Sequence, residues 1–258
     1  MIKKKKSLDQ MTDKELEDLV LTPAFKVPTS SEVERLAARL HKKARAKDIE
    51  LGKRCTHVKR CGLLSCPVCR RSQQLMMMAE HADLPKKAGH STTKKGLRSI
   101  TIIPQYGETR VGELPEGGLR KFKRRIRRDV LKCAPGFQGL LCVDVSWNIG
   151  MTRRECWQWH VHGIFGNITQ REYKAIKSQF GQIAGRADRP VLQRKVYDVT
   201  GQLAYMFKSN FFGRKNYQKT GERRNTSKFI LSIQQELKLA EVLCRLKVSQ
   251  RRLDIGTL

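Results

Sequence analysis

Cys55, Cys61, Cys66 and Cys69 stand within 15 residues of a 258-residue chain. The other four cysteines (Cys133, Cys142, Cys156 and Cys244) are scattered, so the eight do not form a disulfide framework. The cluster reads instead as a metal site of a reducing compartment. Its spacing, Cys-x5-Cys-x4-Cys-x2-Cys, suffices for a tetrahedral zinc held by four thiolates, and four protein ligands leave no open position, so the expected role is structural. His57 can replace one cysteine; an iron–sulfur cluster and free thiols are the competing readings. Lys53, Arg54, Lys59, Arg60, Arg70 and Arg71 flank the module as possible phosphate contacts.

Charge narrows the partners. Lys and Arg number 53 against 24 Asp and Glu, a formal net charge of +29. Such a surplus repels itself and is kept most easily beside a polyanion. Nucleic acid leads because phosphate contacts release condensed counterions; ribosome-like RNA binding and an anionic membrane surface compete with it. No run approaches the roughly 18 apolar residues of a membrane span. The basic start MIKKKKSLDQ has no apolar stretch behind it, so no secretory leader and a cytoplasmic location are expected. No glycine-rich phosphate loop ending in Lys-Ser/Thr is present, so no ATP-driven unwinding is expected.

Along the chain, residues 1–50 read as a basic helical arm for packing or backbone contact. Thr12 with Glu15 and Ser31 with Glu34 suggest capping boxes, and Val33, Leu36, Ala37, Leu40 and Ala44 form an apolar stripe. Residues 51–95 hold the cysteine module, a Met-rich helix and the polar linker KKAGHSTTKKG. The pattern then changes. Strands are expected at 97–104, 139–147, 157–165 and 190–199, with 148–156 turning between the second and third. A helix over GGLRKFKRRIRRDVLK puts Leu119, Phe122, Ile126 and Val130 on one face and a dense basic face opposite. Thr169 with Glu172 starts another helix, carrying Tyr173, Ile176, Phe180 and Ile183, and a third runs from about Thr200 to Asn210. The segment GRKNYQKTGERRNTS reads as a polar loop before a helix near 228–248. The order of elements predicts an α+β fold with a central antiparallel sheet flanked by helices. The expected division is 1–50, 51–95, 96–215 and 216–258.

Two segments carry chemistry. In Trp159-His160-Val161-His162, alternate strand residues share a face, so the two imidazoles project together. They can bind one divalent metal if a neighbouring strand supplies a third ligand. Asp144 is the best third ligand, because a carboxylate among apolar residues is expensive to bury alone; Glu155 is the weaker choice. In Tyr205-Met206-Phe207-Lys208, the i and i+3 residues of a helix face the same way. A tyrosine so placed can attack a phosphodiester, with the lysine favouring the phenolate. A buried tyrosine beside a snorkelling lysine is the competing reading.

The combination of LRSITIIP, VDVSWN, QWHVHGIF and AYMFKSNF, in that order, resembles the HUH endonuclease superfamily over about residues 55–210. SCPVCRR resembles the zinc-binding segment of plasmid rolling-circle replication initiators. The resemblance implies an HUH-like domain after a zinc module. It implies Mg²⁺ or Mn²⁺ held by His160, His162 and Asp144, with Tyr205 as nucleophile and Lys208 beside it. It also implies site-specific nicking and joining of single-stranded or origin-hairpin DNA through a 5′-phosphotyrosine, leaving a 3′-hydroxyl primer. A host helicase and polymerase would then be partners, and no membrane would be involved. One turn before Tyr205 stands Gly201 where single-tyrosine initiators often place an acid; Asp198 is the available substitute. A transposase of similar chemistry and a non-catalytic zinc-containing nucleic-acid-binding protein are the alternatives.

Overall fold

The computed structural model describes residues 7–20, 27–51, 55, 60–81, 97–150, 154–166, 168–181, 190–217 and 225–256. His57, Lys53, Arg54, Lys59 and the linker at 86–96 lie outside them.

Two twelve-residue strands, β3 (Gln138–Ile149) and β4 (Glu155–Gly166), pair antiparallel along their full length at the centre of the sheet. They join β1 (Arg98–Ile102), β2 (Glu108–Thr109), β5 (Val191–Lys195), β6 (Phe212–Tyr217), β7 (Asn225–Ile230) and β8 (Arg252–Ile255). The order is β5-β1-β4-β3-β6-β7, with β2 on β4 and β8 on β3. The far edge of β3 is divided: β8 pairs antiparallel with Gly139–Cys142, and β6 runs parallel with Ser146–Ile149. The sheet is therefore mixed, not antiparallel throughout as its sequence suggests. The cause is that β6 reaches β3 from a helix and not from a hairpin, which leaves it free to run alongside.

Burial on both faces explains why β3 and β4 read as near-continuous apolar runs. Leu141, Val143, Val145, Trp147, Trp157, Trp159 and Val161 enter the larger core with Leu119, Phe122, Ile126 and Val130 of α4 (Gly118–Cys133). Ile176 and Phe180 of α5 (Gln170–Gly181) complete that layer. The alternate residues Leu140, Cys142 and Ile164 face α3 (Pro67–Glu80) and α6 (Val199–Met206), through Leu75, Met77, Met78, Leu203 and Met206. α1 (Asp13–Val20) and α2 (Ser30–Arg45) precede α3; α7 (Ile233–Leu243) precedes β8.

The N-terminal helices form as their caps dictate. Thr12 and Glu15 exchange backbone N–H bonds at 2.7 and 3.3 Å. α2 is capped by Thr29 and Glu32 instead of Ser31 and Glu34, because the earlier box lengthens the helix while Val33, Ala37, Leu40 and Ala44 stay buried. Three further expectations shift. The polar loop at 213–227 is largely the β6–β7 hairpin, and α7 is shorter than 228–248 because Ser232 caps it. β5 stops at Lys195, and α6 starts at Val199 and ends at Met206. Among the described residues no helix is long and apolar enough to cross a membrane.

α3 is the spine of the N-terminal layer, and its arginines turn inward. Arg71 pairs with Asp13 at 2.8 Å and with Glu17, and Ser72 Oγ donates to Asp13 at 2.6 Å. Arg70 donates to the carbonyls of Leu64, Ser65 and Ser209. Both are fully buried, so these two are packing residues and not phosphate contacts, while the partly exposed Arg60 pairs with Asp13 at 2.6 Å. Farther along, Gln74 Nε2 donates to the carbonyl of Ala204 on α6 at 2.7 Å.

Candidate functional site

Strand register assembles the first constellation. Asp144 lies directly opposite His160, and His162 sits between Cys142 on β3 and Thr101 on β1. The three side chains share the α6-facing side and are almost fully buried. The imidazole Nε2 atoms are 3.1 Å apart, and Asp144 Oδ2 is 3.5 Å from that of His160 and 3.8 Å from that of His162.

The second layer fixes which nitrogens face inward. Nδ1 of His160 donates to the carbonyl of Gln158 at 2.9 Å, leaving Nε2 with its lone pair toward Asp144. Nδ1 of His162 is held by the Thr101 hydroxyl at 2.9 Å. The Thr101 hydroxyl can accept or donate at that nitrogen, so His162 Nε2 either donates to His160 Nε2 at 3.1 Å or turns a second lone pair toward a cation between the rings. Two cis nitrogen ligands about 2.1 Å from a metal would themselves be roughly 3 Å apart. Asp144 Oδ1 has no hydrogen-bond partner although it is buried. That oxygen faces Arg251 and not the imidazoles, so it is the donor set of two imidazole nitrogens and one carboxylate oxygen that fits a divalent ion, and Asp144, His160 and His162 can hold one.

Electrostatics keep these groups in ligand form. Burial pushes the Asp144 carboxyl up, but Lys208, His160 and Arg251 outweigh it, so it lies well below the usual carboxylate range. Burial drives His160 down to about 4, against the pull of Asp144. Burial, His160 and Lys208 drive His162 well below its ordinary value. Both imidazoles are therefore neutral at pH 7, the state that binds metal.

Tyr205 and Lys208 join the triad by different routes. The half-buried Tyr205 meets His162 edge to face, with ring centroids 4.9 Å apart. Lys208 lies beyond the C-cap Phe207, so the two do not share a helix face. Its ammonium instead pairs with Asp144 Oδ2 and passes 5.2 Å from the Tyr205 ring centroid. Asp198 is the N-cap of α6, accepting from Gly201 N–H at 2.8 Å. Glu155 is exposed at the start of β4, opposite Ile149, and is not brought to the triad.

Sequence reasoning missed Thr101, Gln158 and Arg251. Fully buried Arg251 donates to the carbonyls of Val143 at 3.1 Å, Lys208 at 3.2 Å and Met206 at 3.5 Å, and lies 3.7 Å from Asp144 Oδ1. It ties the acid's strand to the end of the tyrosine helix. No local pattern marks it, since its partners are remote backbone carbonyls.

The second constellation is the thiol cluster. Cys55 and Cys61 lie 3.6 and 3.7 Å from Cys69, sulfur to sulfur, and all four thiols lie within 4.8 Å of one another. A tetrahedron with Zn–S bonds of about 2.3 Å has edges of roughly 3.8 Å, so the cluster fits that ion. Backbone N–H groups of Cys61 and Gly62 donate to the sulfurs of Cys55 and Cys69 at 2.8 and 3.2 Å, as suits thiolates. Contacts with Cys66 and Cys69 pull Cys61 below the usual thiol range; Cys55 and Cys61 push Cys66 up, and Cys61 and Cys66 push Cys69 up. A cation removes this conflict by letting all four ionise.

Searches against protein-family models, curated proteins and solved structures return no match for the chain.

Proposed function

We propose that the protein is a metal-dependent enzyme that nicks and rejoins single-stranded DNA through a tyrosine, acting as a rolling-circle replication initiator. The observation that carries this reading is the buried Asp144–His160–His162 group with the Tyr205 ring packed against His162. The resemblance of the motifs to HUH replication initiators supports it, as does the charge of +29.

In this reading Asp144, His160 and His162 would hold Mg²⁺ or Mn²⁺, which would supply polarisation of the scissile phosphate when bound. Gln158 and Thr101 hold the two imidazoles in their working tautomers. Tyr205 forms the new bond from its phenol oxygen to phosphorus, the bond to the 3′ oxygen breaks, and the phenol proton is balanced by the one that oxygen gains. A 5′-phosphotyrosine and a 3′-hydroxyl result, the latter a primer for a polymerase; attack by a 3′-hydroxyl reverses the step and joins strands. The thiol cluster would hold Zn²⁺ as a structural ion. A transposase would share all of this chemistry and differ in the DNA ends it prefers.

The Lys208–Asp144 ion pair favours a second reading, in which the chain's own lysine closes the triad and the protein binds nucleic acid without cleaving it. One experiment separates the two. Protein is incubated with single-stranded hairpin oligonucleotides and Mn²⁺ or EDTA, then run on denaturing gels. The expected result is a Mn²⁺-dependent adduct that Tyr205→Phe abolishes while binding survives. Adducts at wild-type level in that variant would remove Tyr205 from its role, and tight binding with no adduct would favour the second reading.

A further inference from the structure

The β6–β7 hairpin carries a surface that the catalytic reading leaves unused. β6 lies beside β3 in parallel register, with Ser146 next to Phe212 and Asn148 next to Arg214. Alternation puts Phe212 and Arg214 on the same side of the sheet as Ser146 and Asp144. Across the hairpin, Phe212 faces Ile230 and Arg214 faces Lys228. The intervening Gly213–Phe229 pair points the other way, where Phe229 packs on the larger core. The site-facing side thus presents two cations and two apolar side chains in a row.

This row is anomalous for a free surface. Like charges directly opposite on antiparallel strands destabilise the pairing, yet Arg214 and Lys228 are so placed. Ile230 is 84% exposed, and Phe212, only half buried, has the Lys228 amine 3.5 Å over its ring. A ligand that resolves the arrangement must be anionic beside the cations and flat or apolar beside Phe212 and Ile230, repeating along the strand. Single-stranded DNA meets these demands, with phosphates for the cations and base faces for the shelf.

We propose that the site-facing side of the β6–β7 hairpin is a single-strand track, with Arg214 and Lys228 holding backbone phosphates and Phe212 with Ile230 receiving a base. The proposal rests on the nicking reading for its direction, since the track leads DNA to Tyr205, but its binding test does not require cleavage. Affinity of the full-length protein for a fluorescent oligothymidine is measured across a salt series by anisotropy. Arg214→Gln with Lys228→Gln should weaken binding about tenfold or more and flatten the log–log salt slope by about 1.4, two phosphates at roughly 0.7 each. Phe212→Ala should weaken binding about tenfold. Lys215→Gln, on the reverse side of the same strand, should leave affinity within about twofold and serves as the control for folding and bulk charge. Wild-type affinity and slope in the double variant, or an equal loss in Lys215→Gln, would overturn the track. Absence of adducts in the wild type alongside selective loss of binding in the track variants would sink the nicking reading and leave the track standing.

Discussion

Asp144 is surrounded by two imidazoles, an ammonium and a guanidinium, and its neighbours differ in how visible they are in the sequence. His160 and His162 are legible because strand periodicity is local, and Asp144 because a carboxylate in an apolar run demands a partner. Arg251 is not, because it lies 107 positions beyond Asp144 and its donors end on carbonyls that any residue supplies. Lys208 was legible as a neighbour of Tyr205 but not as the partner of Asp144, since helical spacing misplaces a residue past the end of α6. Arg251→Ala should destabilise the protein by about 3 kcal/mol, because it strips three backbone carbonyls of a buried donor and removes one of the two cations beside Asp144; a thermal melt matching wild type would refute this. The imidazoles set an acid limit for the metal-free protein. Unfolded histidine takes a proton near pH 6.5, whereas folded His160 does so only near 4, so between these values the unfolded state binds more protons. Stability present above pH 6.5 should fall by about 1.4 kcal/mol per pH unit through that window, with His162 adding a loss of the same sign. Denaturant titrations in EDTA from pH 7 to 4 would measure it, and His160→Gln should reduce the slope.

At the scale of elements, long patterned segments were the readable ones. β3, β4 and α4 follow from apolar periodicity over a dozen or more residues. The β6–β7 hairpin was hidden because an edge hairpin buries little: between Gly213 and Phe229 it offers arginine, lysine and asparagine, the composition of a loop. Its parallel pairing with β3 is a long-range event that no local signal encodes. α4 carries a different tension. Arg120 with Arg124, Lys121 with Arg125, Lys123 with Arg127, Arg124 with Arg128, and Arg128 with Lys132 are like-charged pairs four residues apart. Each costs roughly 0.2–0.5 kcal/mol on an exposed helix, partly relieved where Asp129 meets Arg125 and Arg128. Screening should therefore raise the Tm of the free protein by a few degrees as sodium chloride is raised, while the affinity for DNA that the nicking reading requires should fall. A Tm that drops along with affinity would show that the repulsion is negligible.

For the whole molecule, one helix joins the thiol cluster to the helix that carries Tyr205. α3 starts at the thiol cluster, with Cys66 as its N-cap and Cys69 in its first turn, and reaches the carbonyl beside Tyr205 through Gln74. Cys66→Ser should lower both zinc content and Tm, whereas His160→Ala should leave zinc content unchanged and lose only Mn²⁺ binding, by metal analysis and calorimetry. The sequence showed the two clusters but not this connection, because Gln74 reads as an ordinary helix residue until its partner is seen. If α3 couples the two clusters, linkage makes the effect mutual. Whatever factor zinc removal takes from Mn²⁺ affinity at the triad, Mn²⁺ saturation must return to zinc affinity at the thiols. With an ion in each cluster, either one should then be harder to extract than from protein loaded at one cluster alone, which stepwise chelation would measure.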